Sequence, residues 1–166
     1  MPHWRKLVLI TIAACGGAGK SSSESPLPPD PELDALVSEW TIENHIVTPR
    51  SYITDSDAAE WHGGRVTVTK RAGYSTPFQG NCRDSSYTKR RRVYAEVAVD
   101  EDLAGDSRFV PQRFGLPGDL TEFKFICRDR KEDGSPALTP VLTLYQGGTR
   151  AMTCFSGVCY LLTRGR

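Results

Sequence analysis

The chain has 166 residues, 39% of them hydrophobic and 25% charged, which is enough for one domain with its own core. Its 21 Lys and Arg balance 20 Asp and Glu at a net charge of +1, and this sets aside the strongly basic balance of a nucleic-acid-binding domain. Five cysteines make the redox compartment the first question.

The N-terminus reads "MPHWRKLVLITIAACGG". Arg5 and Lys6 precede an apolar run from Leu7 to Ala14. That run is shorter than the roughly 20 residues needed to span a bilayer, and it has the length of a signal-peptide core. The run ends in "IAAC", residues 12–15, which resembles the lipobox of bacterial lipoproteins. The resemblance implies a signal peptide over 1–14 and a lipidated Cys15 as mature N-terminus. Gly16, where Asp would retain the protein at the inner membrane, implies an outer-membrane anchor facing the periplasm. Losing the positive charges of Arg5 and Lys6 takes the side-chain charge from +1 to about −1. From Cys15 to residue 31 the chain is rich in Gly, Ser and Pro, which reads as a flexible tether. One domain is expected over 32–166.

Within that domain "TDSDAAEWHGG", 54–64, predicts a short helix. Thr54 and Asp57 have capping-box spacing, and Gly63-Gly64 end the segment. Strands are predicted at 65–70, 93–99 and 121–127 from their alternation, the last with Phe123, Phe125 and Cys127 on one face. Gly147-Gly148 and Ser156-Gly157 predict two hairpin turns. Their registers place Leu142, Leu144, Ala151, Thr153, Phe155, Val158, Tyr160 and Leu162 on one, core-facing side. Cys154 and Cys159 fall on the opposite, outer side. The fold class is therefore mainly β: an antiparallel barrel or strongly curved sheet with one short helix.

With Cys15 assigned to lipid, Cys82, Cys127, Cys154 and Cys159 remain in an exported chain, which favours disulfides over zinc. The Ser156-Gly157 turn sets Cys154 opposite Cys159 at disulfide distance. Elimination then pairs Cys82 with Cys127. The loop-entropy relation gives about 2 kcal/mol for the small ring and roughly 4 kcal/mol for the large one.

The order of "EWTIENHIV", "EWHGGRVTVT", "FQGNCRDSSY", "RFGLP", "EFKFIC" and "CYLLTR" resembles a broad group of small exported bacterial proteins of lipocalin-like build. That resemblance implies a fold rather than an activity. A second one is local: "SGVCY", 156–160, is similar to the S-G-x-x-Y loop of bacterial inhibitors of c-type lysozymes.

No nucleophile–base constellation stands out. His45 and His62 stand apart in sequence, and His62 reads as a helix-end residue. Asp55, Asp57, Asp100, Glu101 and Asp102 sit in helix-start and turn contexts. No catalytic residue, metal or cofactor is expected. Two candidate binding features remain: the basic run Lys89, Arg90, Arg91 and Arg92, and the hairpin residues Ser156, Gly157 and Tyr160. The first would meet an anionic envelope component or an acidic protein partner. The functional expectation is an envelope-anchored lipoprotein with a non-enzymatic lipocalin-like binding or structural domain. The alternative is an inhibitor of a cell-wall hydrolase acting through residues 154–160.

Overall fold

The computed structural model describes residues 29–70, 73–130 and 136–164. The signal segment, Cys15 and the tether as far as residue 28 lie outside the described residues. The chain runs α1 (Pro31–Leu36), β1 (Ser38–Val47), α2 (Asp55–Ala59), β2 (Arg65–Val68), β3 (Tyr74–Thr76), β4 (Gly80–Cys82) and β5 (Ser85–Val93). It continues with α3 (Tyr94–Asp100), α4 (Pro111–Phe114), β6 (Asp119–Arg130), β7 (Pro136–Gly147), β8 (Arg150–Phe155) and β9 (Val158–Arg164). No helix among the described residues is long and apolar enough to cross a membrane.

The nine strands form one antiparallel sheet in the order β4-β3-β2-β1-β9-β8-β7-β6-β5. The two edges, β4 and β5, are consecutive in the chain, so the sheet curls into a nearly closed barrel. The Cys82–Cys127 disulfide spans this seam with its Cα atoms 5.7 Å apart, and Arg128 N–H donates to the Asp84 carbonyl at 2.8 Å. α1 plugs one end. Asp30 caps it by accepting from the amides of Glu32 and Leu33, and Pro31 opens its first turn. Leu33 and Leu36 are buried, and the Leu36 carbonyl accepts from Trp40 Nε1 at 3.0 Å.

The interior is filled. Trp40, Ile42, Phe123, Phe125, Leu142, Leu144, Tyr160 and Leu162 are buried there in one cluster. The predicted core face of the C-terminal hairpins is thus the barrel interior. The outer face of the same strands is also covered. Tyr145, Met152, Cys159 and Leu161 pack under Val97, Leu103, Phe109, Phe114 and Leu116 of the segment after β5. The Cys154–Cys159 disulfide lies on that outer face as expected, beneath the overlying segment.

Two local expectations are corrected. Residues 93–99 were expected as a strand, yet Tyr94–Asp100 is helix. Val93 and Val99 are 50% and 66% exposed, while Tyr94 and Val97, three apart, are the buried pair. Ala95, Glu96 and Ala98 suit a helix, and the contacts of Arg92 with Glu96 and Asp100 hold its polar side. The second correction moves the β7–β8 turn one residue on. Gly147 pairs with Arg150, and Gly148, at φ +58°, takes the turn. A Cβ on Gly147 would lie 2.2 Å from Pro117 Cδ, so this glycine serves close packing inside the strand. The pairing shifts by two residues, which preserves the face of every side chain. The α2 expectation holds in its capping box, with the helix ending at Ala59 before a turn.

Candidate functional site

The basic run lies on β5, next to the seam, and alternation splits it between two sets of carboxylates. Lys89 Nζ lies 2.7 Å from Asp30 and 3.2 Å from Glu32, and Arg91 also pairs with Glu32. Arg90 and Arg92 meet Glu122 of β6 at 2.8 and 2.7 Å. Arg92 further contacts Glu96 at 3.1 Å and Asp100 at 2.5 Å. Arg92 and Glu122 are 7% and 2% exposed, a buried ion pair rimmed by the half-exposed Arg90, Glu96 and Asp100. The Arg92 hydrogen bond holds the Asp100 carboxyl below its usual range, as Lys89 does for Asp30. Nearby Glu101 moves upward, mainly because it is buried, although Tyr145 donates to it.

The hairpin is docked rather than protruding. Ser156 and Gly157 have φ values of 50° and 78°, as a type I′ turn requires. Thr48 N–H donates to the Gly157 carbonyl at 2.8 Å, and Ser51 Oγ donates to the Ser156 carbonyl at 3.1 Å. Ser156 is exposed, but Tyr160 is fully buried in the barrel, stacked on Phe78 with ring centroids 5.1 Å apart. Burial pushes its hydroxyl up to about 12. Glu101 lies close to the Cys154 and Cys159 sulfurs, but those sulfurs are joined to each other.

Sequence reasoning passed over a third location. The β1–β9 register shifts between Ile42 and Asn44, a bulge that reverses the facing of the rest of β1. Ile42 belongs to the interior cluster and Ile46 to the outer one. His45 consequently sits over Tyr160, with ring centroids 6.3 Å apart. The Ile42 amide and carbonyl bond to Gly64 and Gly63, which folds the turn after α2 back against β1. That return brings His62 Nε2 to 2.8 Å from His45 Nδ1. On the other side of the ring, His45 Nε2 lies 3.3 Å from Asp55, the first residue of α2. An open cleft of about 350 Å³ adjoins this chain of groups, lined by Asn44, His45, Asp55, Arg108, Arg113 and Phe114. Arg108 is clamped by Asp106 at 2.7 Å and donates to the Val47 carbonyl. Arg113 donates only to the Ser107 carbonyl, at 3.2 Å, and faces no carboxylate within ion-pair distance among the described residues.

No short-range sequence signal marked this location: the β1–β2 pairing ends at Thr41 opposite Arg65, and His62 reaches His45 only through the glycine-tied turn beyond it. No protein-family model matches the chain, and no curated protein or solved structure is significantly similar to it.

Proposed function

We propose that this chain is a bacterial lipoprotein, anchored to the outer membrane through Cys15 and facing the periplasm, whose domain acts by binding at its outer surface rather than by catalysis. The two disulfides support an oxidising compartment, and the lipobox-like "IAAC" supports the anchor. The observation that carries surface binding is the filled interior. Trp40, Phe123, Phe125 and Tyr160 occupy the space in which a ligand-carrying barrel would hold its cargo. The cleft beside His45 offers the guanidinium of Arg113, which has no carboxylate partner among the described residues and suits an anionic envelope component or an acidic protein surface. The hydrolase-inhibitor alternative has weaker support, because Tyr160 would have to leave the core to touch an enzyme.

Two measurements test the proposal. Mass spectrometry of the mature N-terminus should find diacylglyceryl-cysteine at Cys15; an unmodified residue there would remove the anchor. Capture from envelope extract should be lost in Arg113→Glu and kept in a Lys89→Glu/Arg91→Glu variant. The reverse pattern would move the binding surface to β5.

A further inference from the structure

We infer that His45 and His62 form the protein half of a site for a borderline divalent transition metal, Zn2+ or Cu2+. Ring nitrogens of the two residues face each other at 2.8 Å. The His45 side chain is 93% buried, and β1 holds it from behind, whereas His62 is exposed at the end of the turn after α2. Asp55 lies 3.3 Å from His45 Nε2. That approach lacks hydrogen-bond geometry, so Nε2 is buried without a hydrogen-bond partner, and Nδ1 is the ring nitrogen that meets a second nitrogen donor, His62 Nε2. Neutral imidazole pairs suit zinc and copper among the divalent ions.

An ion between the rings replaces the proton they share. Metal–nitrogen bonds of about 2.0–2.1 Å in tetrahedral geometry separate the nitrogens by roughly 3.3 Å, so the pair must open by about 0.5 Å. The exposed His62 can supply that movement. Solvent at the exposed His62 completes the coordination. This inference goes beyond the binding role and holds whether or not a partner docks beside Arg113.

The test is titration of the full chain, with the Cys15 thiol blocked, by Zn2+ and Cu2+ against a chromophoric chelator, with imidazole 15N NMR in parallel. The wild-type chain should bind one ion more than His62→Gln. The His45 Nδ1 and His62 Nε2 resonances should move with stoichiometric Zn2+. Equal binding by wild type and His62→Gln would overturn the site. So would unmoved resonances of these two nitrogens in the wild-type protein, a result that depends on no variant folding.

Discussion

The basic strand β5 and the cleft beside His45 present similar residue types, yet the fold uses them in opposite ways. On β5 four consecutive cations meet Asp30, Glu32, Glu96, Asp100 and Glu122, all supplied by the chain itself. In the cleft, among the described residues, Arg113 faces no carboxylate within ion-pair distance, and the only one within that distance of His45 is Asp55, at 3.3 Å. The hairpin belongs with the strand, since its Tyr160 is spent on the core. A dense local motif therefore marks a structural element here, and the free functional groups come from residues far apart in sequence.

The sharpest way to break this comparison is to treat Tyr160 as a contact residue. Tyr160→Ala should cost about 3–5 kcal/mol in urea unfolding, as expected for removing a large buried ring. A stable Tyr160→Ala protein would return the hairpin to the list of binding surfaces. Arg92→Ala comes next. It leaves Glu122 buried with one fewer partner and should cost about 3 kcal/mol. The same variant has a pH signature. Asp100 is depressed below its ordinary 3.8 chiefly by Arg92, so its contribution is present above that value and disappears as pH falls through the lower, folded one. Arg92→Ala should therefore make the acid limb of the stability curve shallower. An unchanged limb would show that Asp100 takes no stability from the pair. Gly157→Val should cost about 2 kcal/mol, because the residue sits at φ +78° and its Cβ would lie 2.7 Å from Ser51 Cα. Thermal unfolding reads this, and a neutral result would mean that the hairpin can lift off the 48–51 loop.

Much of the architecture was legible in the sequence, for physical reasons that also explain the failures. Alternation over 121–127 survives because one face must enter the barrel, and the Ser156-Gly157 turn fixed the short disulfide through register alone. The 93–99 segment misled because apolar residues spaced for a strand also supply Tyr94 and Val97 to a helix face, and only packing against the outer sheet surface decides between them. Apolar residues on both faces of "CYLLTR" hinted that the outer face is covered too. The cleft was hidden for a different reason. His45 lines it, and His62, 17 residues away, meets His45 only through the β1 bulge and the glycine-tied return after α2.

The smallest expected change in stability belongs to the residue proposed to carry binding. Arg113→Glu removes a guanidinium whose sole hydrogen bond among the described residues goes to the Ser107 carbonyl. Unfolding free energy should stay within about 0.5 kcal/mol of wild type. Capture of an anionic partner by the wild-type domain should weaken as salt rises, because the attraction is screened over a Debye length of about 8–10 Å. In Arg113→Glu both the capture and its salt dependence should fall, whereas Lys89→Glu/Arg91→Glu should leave the slope in place, since those charges are already answered by Asp30 and Glu32. Surface-immobilised domain titrated with envelope extract at several salt concentrations measures this. A salt slope that follows the β5 variant instead would show that the intramolecular pairs open on binding, and the contrast between the two cationic regions would then be one of availability rather than of use.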